Sequence, residues 1–278
     1  MNTSNFNVKT CARNSETLVT IVGLPAFDSN YLWLIHSHTH AWAVDPGDAQ
    51  VIQGYLQRHA LTLAGVLITH HHSDHVGGVL ALQALYPKAP IIGPMTERIE
   101  GLTLDAQDGA HFELSGLNTL VAQCMTVPGH TAGHVAYFLP DVAGVPRVFC
   151  GDTLFAGGCG RLFEGTATQM LASLERLMAL PAHTLAYCAH EYTASNLAFA
   201  AAVEPNNAPL KQRIADTAAL RAQNQPTVPF ALGLERLYNP FLRTAQADVI
   251  ASASRHAGID LTESVDVFAQ LRAWKNVF

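Results

Sequence analysis

The densest group of chemically active side chains lies in residues 69–75, which read THHHSDH. This segment directly follows an apolar run that predicts a buried β-strand, so its side chains are expected at a strand end. Because residues two apart in an extended segment project to the same side, His70 and His72 should converge on one point. Asp74 and His75 can turn towards a second point. Imidazole and carboxylate groups in this arrangement suit zinc, iron or manganese.

Three more residues of metal-ligand type, His130, Asp152 and His190, each come directly after a predicted strand. Side chains from four strand ends would make one coherent site. Three histidines and a carboxylate can hold one metal ion, and two histidines and two carboxylates can hold another. A shared carboxylate and a hydroxide would keep the ions roughly 3.5 Å apart. Zinc lowers the pKa of bound water to about 7, so hydrolysis would need neither a Ser-His-Asp triad nor a cysteine nucleophile.

Two other interpretations compete with a catalytic site. A polar loop with incidental histidines would explain a single histidine better than four ligand-type residues within six positions. A metal-binding module without catalysis would favour a closed, cysteine-rich zinc site, but the five cysteines are scattered and form no Cys-x-x-Cys pair. His71 is expected to point away from the metals. His134 fits either a support for the ligands or a buried structural histidine.

The elements that must position these residues can be predicted from apolar periodicity and from turn residues. Strands are predicted over residues 18–24, 31–35, 41–44, 65–68, 90–92, 120–127, 134–139, 147–150 and 185–188. Helices are predicted over residues 49–60, 78–86, 170–180, 194–203, 210–223, 246–256 and 262–274. Strands and helices interleave without regular β-α-β alternation, which indicates an α/β (α+β) fold with two mixed sheets between helices. We expect such a domain over residues 1–190 and a small α-helical domain over residues 191–278.

Composition narrows the functional class. The 278 residues are 49% hydrophobic and 14% charged, which allows a large core, and the net charge of -6 argues against a nucleic-acid surface. The N-terminus lacks the basic and apolar regions of a signal peptide, and no apolar run approaches the ~20 residues of a membrane span. Scattered cysteines indicate free thiols in a reducing compartment. A soluble cytoplasmic protein without a membrane partner is expected.

The order His-x-His-x-Asp-His, followed by His, Asp and His, resembles the metallo-β-lactamase superfamily. This resemblance implies an αββα sandwich that binds two divalent ions, with zinc favoured and iron or manganese also accepted. It further implies that Asp74 and Asp152 hold a metal-bridging hydroxide, which would be the catalytic group. The resemblance assigns the first ion to His70, His72 and His130, the second to Asp74, His75 and His190, and the bridging position to Asp152.

A second set of motifs is similar to the glyoxalase II family. These motifs are GDTLF at 151–155, GCGRLFEGT at 158–166, HEYT at 190–193, VEPN at 203–206, PTVP at 226–229, NPFLR at 239–243 and LRAWK at 271–275. The resemblance implies hydrolysis of S-(2-hydroxyacyl)glutathione thioesters, such as S-D-lactoylglutathione, to a 2-hydroxy acid and glutathione. That reaction belongs to methylglyoxal degradation. The partner would be this small thioester, and a monomer is expected.

Positions that match the family's glutathione contacts are Arg161, Phe163, Tyr192, Arg272 and Lys275. Glutathione carries two carboxylates, so a protein of net negative charge needs a local cationic site to bind it. Arg272 and Lys275 are three residues apart on a predicted helix and therefore share a face. Position 161 is Arg where the family often has Lys. Position 163 is Phe where many members have Tyr, so one hydroxyl contact would be missing.

The resemblance also implies that Asp28, Asn30 and Tyr31 support the site. The alternative function is that of another metallo-β-lactamase-fold enzyme, such as a general thioesterase or a persulfide dioxygenase that uses one iron. The presence of every donor for a second ion favours hydrolysis. A β-lactamase is disfavoured by the missing signal peptide, and a nuclease by the lack of basic surface.

Overall fold

A computed structural model describes residues 6–8 and 19–278; Cys11 and Leu18, the first residue of a predicted strand, lie outside the described residues. The chain forms two compact units. The first comprises the described residues up to Thr126 together with Gly133–Gly151, and the second comprises Val127–Ala132 and Asp152–Phe278. These units are defined by which parts of the backbone pack together. The predicted domain boundary between residues 190 and 191 divides the sequence into two continuous segments, and it stays a prediction.

A seven-stranded sheet in the first unit carries the segment with most of the predicted ligands. Its strands are β1 (Phe6–Val8), β2 (Thr20–Ala26), β3 (Asn30–His36), β4 (His40–Val44), β5 (Thr62–Leu67), β6 (Ile91–Gly93) and β7 (Leu104–Asp105), in that order. Pairing is antiparallel from β1 to β4 and parallel from β4 to β7. Val44 pairs with Leu67, so the parallel strands β4 and β5 end at the same sheet edge. The residues that follow them therefore meet there.

Helices α1 (Ala49–Arg58), α2 (Ser73–Val76) and α3 (Val79–Leu85) belong to the same unit. The Asp48 side chain caps α1 by accepting hydrogen bonds from the backbone amides of Gln50 and Val51. Ile52 and Leu56 of α1 are fully buried in a core shared with β2 to β6. Burial of a side chain of this size contributes about 1.5–3 kcal/mol, and this apolar contact holds the helix on the sheet.

A second set of strands in the first unit is antiparallel, with β8 (His111–Glu113), β9 (Val121–Thr126), β10 (Val135–Val142) and β11 (Val145–Gly151) in order. The fully buried Tyr137 of β10 donates hydrogen bonds to the carbonyls of Ile68 and Ile92, at 2.8 and 3.2 Å. Burial raises the pKa of Tyr137 well above its ordinary value, so the hydroxyl stays protonated. It thereby fixes the ends of β5 and β6 against β10.

The second unit is mainly helical. Its helices are α4 (Ala167–Met178), α5 (Thr193–Val203), α6 (Ala208–Ala222), α7 (Leu232–Glu235), α8 (Ala247–Ala257) and α9 (Ser264–Val277). Its strands form two antiparallel pairs, β12 (Leu154–Phe155) with β13 (Gly158–Cys159) and β14 (Leu185–Cys188) with β15 (Phe230–Ala231). A capping box between Thr166 and Gln169 starts α4. Phe241 lies in ring contact with Phe199 and Phe268, which joins α5 and α9 through an aromatic core.

Every predicted strand and helix has a counterpart in the structure, and the seven-stranded sheet is mixed as expected. The strands that the sequence did not indicate are β1, β7, β8, β12, β13 and β15, each of two or three residues. Alternation over so few residues is too short to distinguish a strand from a loop. The short helices α2 and α7 were not indicated either. No helix in the described part of the chain combines the length and the apolar run that a membrane crossing requires.

Gly47 provides a test of the close approach between the turn after β4 and the ligand-bearing segment. A Cβ there would lie 1.8 Å from the backbone oxygen of Asp74. We expect Gly47→Ala to lower the free energy of unfolding by about 3 kcal/mol, because backbone would have to move. Gly54→Ala in α1 is the control. Its Cβ would meet only the flexible end of Arg58 at 3.3 Å, and alanine is favoured over glycine in a helix by about 1 kcal/mol. Equal urea-unfolding curves for the two variants would contradict this prediction.

Candidate functional site

In the first unit, four predicted ligands lie on the segment after β5, and their donor atoms converge in pairs. His70 Nε2 lies 3.0 Å from His72 Nδ1. Two nitrogens bound to one tetrahedral zinc, each at about 2.0–2.1 Å, are separated by about 3.3 Å, so this pair fits one ion. His75 Nε2 lies 3.5 Å from Asp74 Oδ2, which fits a second. His70 and His75 are buried, as ligands held by the fold should be.

The carboxylate of Asp45, at the end of β4, orients this segment. It accepts hydrogen bonds from Thr69 N at 2.7 Å and Thr69 Oγ1 at 2.8 Å, and its Oδ2 lies 3.0 Å from His75 Nδ1. With Nδ1 engaged by a carboxylate, His75 presents Nε2 towards Asp74. The sequence prediction missed Asp45. A charged residue between a buried strand and a Pro-Gly turn was the available signal, since the same strand-end argument identified His130 and Asp152.

Two further side chains hold the ligand segment. Asn30 Nδ2 donates to Asp74 Oδ2 at 2.8 Å, the supporting position that the family resemblance implied. Glu97, which the prediction missed, accepts from the backbone amides of His71 at 2.7 Å and Gly133 at 2.8 Å. Nothing in the polar stretch around Glu97 distinguishes it in the sequence. The other two residues expected to support the site differ from each other, since Asp28 is exposed and Tyr31 is buried.

His134 packs against His70, a predicted metal ligand. It is fully buried, and its ring stacks on that of His70 with centroids 4.6 Å apart. A Cβ at Gly151 would lie 2.5 Å from Thr69 Oγ1 and 2.8 Å from His134 Nε2, so only glycine fits beside this stack. The structure therefore places His134 in contact with His70, which is compatible with both roles that the sequence left open.

In the second unit, the other three predicted ligands come together. Asp152 Oδ2 lies 3.5 Å from His130 Nε2 and 3.3 Å from His190 Nε2, and all three residues are buried. His130 Nδ1 lies 2.9 Å from the carbonyl oxygen of Arg161. Because a carbonyl only accepts, Nδ1 carries the proton and Nε2 presents its lone pair. Imidazole nitrogens directed at a shared carboxylate are a donor set that fits a divalent metal ion.

A cavity of about 440 Å³ in the second unit lies beside these ligands. Its volume is within the range of small-molecule sites. Its walls include His130 and Asp152 and every residue predicted to contact glutathione, namely Arg161, Phe163, Tyr192, Arg272 and Lys275. The structure thus brings these residues together, while their roles remain predictions. Phe155, Cys159, Ser195 and Asn196 complete the lining and were not predicted.

The cavity is cationic. Arg272 is only 4% exposed; its Nη1 donates to the carbonyl of Cys159 at 2.9 Å, and its guanidinium lies over the ring of Phe241. Burial, with the charges of Arg272 and Arg161, lowers the pKa of Lys275 to about 8. Burial has removed hydration from Arg272 and Lys275, so an anionic ligand would stabilise these two cations. Burial also raises the pKa of Cys159, which keeps it a thiol rather than a nucleophile.

Aromatic rings connect the cavity to the histidines. Tyr192 stacks on His190 with centroids 4.6 Å apart and planes 2° apart, and Phe163 meets the His130 ring edge-on at 5.3 Å. Phe163 is 62% exposed and Tyr192 39% exposed, which is high for aromatic side chains. A ligand in the cavity could cover both rings and would then lie against the two histidines.

Two family models match this chain. The model described as metallo-beta-lactamase superfamily matches residues 27–190, which include all seven predicted metal ligands. The model described as hydroxyacylglutathione hydrolase C-terminus matches residues 191–278, which include Tyr192, Arg272 and Lys275.

Curated relatives match over nearly the whole chain. A hydroxyacylglutathione hydrolase of Albidiferax ferrireducens is 50% identical, over 93% of this chain and 99% of its own length. A hydroxyacylglutathione hydrolase of Shewanella baltica is 47% identical, over 94% of this chain and 100% of its own length.

Solved structures share the fold. ETHE1 from Myxococcus xanthus is 25% identical with a TM-score of 0.59, and the match covers 91% of this chain and 97% of that one. TTHA1623 in a di-iron-bound form is 25% identical with a TM-score of 0.54, over 80% of this chain and 99% of that one. With the family models, these likenesses confirm the predicted fold class, an αββα sandwich with a small C-terminal α-helical part.

Asp45 provides a test of the ligand geometry in the first unit. We expect Asp45→Asn to weaken zinc binding about 10–100-fold, because an amide has only one acceptor oxygen and cannot accept from Thr69 N on one side and from Thr69 Oγ1 and His75 Nδ1 on the other. Competition with a chromophoric chelator measures the affinity. The control is Asp48→Asn, which removes the same charge three residues away and keeps a good helix cap. Equal zinc affinity in the two variants would show that Asp45 does not orient a ligand.

Proposed function

Because this chain belongs to the hydroxyacylglutathione hydrolase family of the metallo-β-lactamase superfamily, we propose that it hydrolyses S-D-lactoylglutathione and related S-(2-hydroxyacyl)glutathione thioesters. The products are a 2-hydroxy acid and glutathione, as methylglyoxal degradation requires. The observation that carries this proposal is the cavity where five glutathione-contact positions adjoin His130 and Asp152. Relatives 47–50% identical share the name of this hydrolase, which favours it over a general thioesterase or a persulfide dioxygenase.

The proposed cofactor is a pair of divalent metal ions. The seven predicted ligands given above would hold the two ions. Within each unit, the donor atoms have the types and spacings that zinc accepts. When bound, such ions polarise a carbonyl and make hydroxide available at neutral pH. We favour zinc, while the di-iron form of TTHA1623 is a reason to measure iron as well.

The chain's own cationic residues would bind the tripeptide. Arg161, Arg272 and Lys275 line the cavity and can meet the two carboxylates of glutathione. Arginine at position 161 offers a planar fork where lysine would offer a point charge. Phe163 provides an apolar surface without a hydroxyl, so one polar contact that tyrosine could make is absent.

The aromatic residues would orient the reacting group. Tyr192 and Phe163 pack on His190 and His130, so a thioester held against these rings has its carbonyl beside both ligands. Glutathione leaves as a thiolate, and a thiol pKa near 8.5 makes that departure feasible without a strong general acid. No side chain of the described cavity needs to act as a covalent nucleophile, since Cys159 is held as a thiol.

A cytoplasmic location and a monomeric state complete the proposal. Cys124, Cys150, Cys159 and Cys188 are buried thiols outside any disulfide, which suits a reducing compartment. Size-exclusion chromatography with light scattering would measure the state of association.

The activity is tested by thiol release from S-D-lactoylglutathione, followed with a thiol reagent. Purified protein loaded with zinc should release thiol, chelation should abolish the release, and added zinc should restore it. S-lactoyl-N-acetylcysteamine has the same acyl group without glutathione's carboxylates, so its hydrolysis should be much slower. If metal-loaded protein released no thiol from the glutathione thioester, the proposed function would be wrong.

The cationic wall gives a kinetic prediction. Lys275→Ala and Arg272→Ala should each raise KM for S-D-lactoylglutathione about tenfold and lower kcat less, because the lost contact is to a part of the substrate that does not react. The controls are Lys211→Ala and Arg255→Ala, which remove exposed cations from α6 and α8. Unchanged KM in both cavity variants would remove these residues from the binding site.

Lys275 also gives a pH prediction. Its pKa of about 8 means that the ammonium is present below that pH and is lost as pH rises through it. Since the charged form binds a carboxylate, kcat/KM should fall above about pH 8. In Lys275→Arg this fall should be absent, because arginine keeps its charge up to a pKa above about 12. Identical alkaline limbs for the two proteins would contradict the assignment.

A further inference from the structure

The hairpin of β12 and β13 forms part of the cavity wall in the second unit. Phe155 of β12 and Cys159 of β13 line the cavity, and so do Asp152 and Arg161 at the two ends of the hairpin. The tip is Ala156 and Gly157. Because the hairpin has only two paired positions in each strand, its own hydrogen bonds cannot fix it firmly. Its position must depend on the groups that contact the tip.

A fully buried carboxylate contacts that tip. Glu235, the last residue of α7, accepts a hydrogen bond from the amide of Gly157 at 2.8 Å through Oε2. The same Oε2 accepts from Asn239 Nδ2 at 3.0 Å, and Oε1 accepts from the Tyr238 hydroxyl at 2.9 Å. Gly157 has a φ of 70° and a Cβ there would lie 2.8 Å from Leu197, so the tip is already tightly packed on its other side.

Asn239 adds a second attachment. Its fully buried amide donates to the carbonyls of Gly158 at 3.0 Å and Phe155 at 3.4 Å, on both sides of Gly157. Its Oδ1 caps the following turn by accepting from Phe241 N at 3.1 Å. Glu235 and Asn239 therefore hold one amide and two carbonyls of a six-residue hairpin from a single direction.

An apolar side chain in place of Glu235 or Asn239 would have a lower free-energy cost of burial. A buried carboxylate is unfavourable unless its oxygens are hydrogen-bonded. Burial raises the pKa of Glu235 to about 7, while the bonds from Gly157, Asn239 and Tyr238 and the charge of Arg213 lower it. What the carboxyl group provides, and an apolar residue cannot, is an acceptor for the Gly157 amide.

We propose that Glu235 and Asn239 are positioning residues for substrate binding, which clamp the 154–159 hairpin so that Phe155 and Cys159 keep the glutathione cavity open at its proper width. This inference rests on the proposed function. Neither residue lines the cavity, so both act through the hairpin. The thioester is the ligand whose binding the clamp controls.

Glu235→Met and Glu235→Gln separate the clamp from the fold. Methionine keeps the volume and removes the acceptor, so KM for S-D-lactoylglutathione should rise about tenfold with kcat changed less. Glutamine can accept from Gly157 and Asn239 through its oxygen and donate to Tyr238 through its nitrogen. It should therefore keep the KM of the original chain. Amide exchange at Gly157 should accelerate in Glu235→Met and stay slow in Glu235→Gln.

Tyr238→Phe is the matched control for general destabilisation. It removes a hydrogen bond from the same carboxylate and leaves the bond to Gly157, so stability should fall while KM stays unchanged. If Glu235→Met does not fold, Asn239→Ser carries the test, since serine keeps the cap on Phe241 and cannot reach the hairpin carbonyls. Its KM should rise in the same way.

The outcomes are separable. An original chain that hydrolyses no glutathione thioester would overturn the proposed function. An active original chain with the same KM in Glu235→Met, or in Asn239→Ser where the first does not fold, would overturn the clamp. A rise in KM for Tyr238→Phe as large as that for the clamp variants would also overturn it, because the effect would then follow stability rather than hairpin position.

Discussion

The carboxylate of Asp45 meets both Thr69 and His75, and the geometry of the first unit's donor set depends on this interaction. It is available only because β4 and β5 run parallel and end at one sheet edge. Buried polar groups must find partners, and here the partners are the groups that a metal ligand needs in order to be held in one orientation. The support of Asp74 by Asn30 and of the His71 backbone by Glu97 extends the same principle along the segment.

In the second unit, residues that contact the predicted metal ligands also line the cavity. Arg161 fixes the tautomer of His130 through its carbonyl and lines the cavity with its side chain. Tyr192 follows closely after His190 in the chain and stacks on its ring. One short segment thus sets both the donor atom and the surface that a ligand would contact. This arrangement would hold the reacting group of a substrate in a fixed position relative to the predicted metal-ligand atoms.

Electrostatics explains why an acidic protein can bind an anion. The net charge is -6, but the cavity walls contain Arg161, Arg272 and Lys275. Burial of Arg272 and partial burial of Lys275 are unfavourable in the free protein, as the lowered pKa of Lys275 shows. Carboxylates of a ligand would offset that cost, so an anion-binding site can exist locally in a protein of net negative charge.

Much of the site was accessible from sequence. His70 and His72 could be placed together by the two-residue period of an extended segment, and motif similarity identified Arg272 and Lys275 as cavity residues. The long strands and helices followed from apolar periodicity. The shortest strands could not be predicted in this way, because β12 and β13 are two residues each and have no period to detect.

The sequence by itself determined which residues could bind metal and where the long elements run, because ligand chemistry and periodicity are local properties. Only the tertiary structure decided that Asp45 serves His75, that Glu97 serves the backbone of His71, and that Glu235 serves the amide of Gly157. Each of these carboxylates acts on a residue far away in the sequence. The separation is 26 positions for Glu97 and His71 and 78 for Glu235 and Gly157. It is 30 for Asp45 and His75, since 75 − 45 is 30. A carboxylate's role is set by the donor that folding brings to it, and that donor cannot be read from its neighbours in the chain.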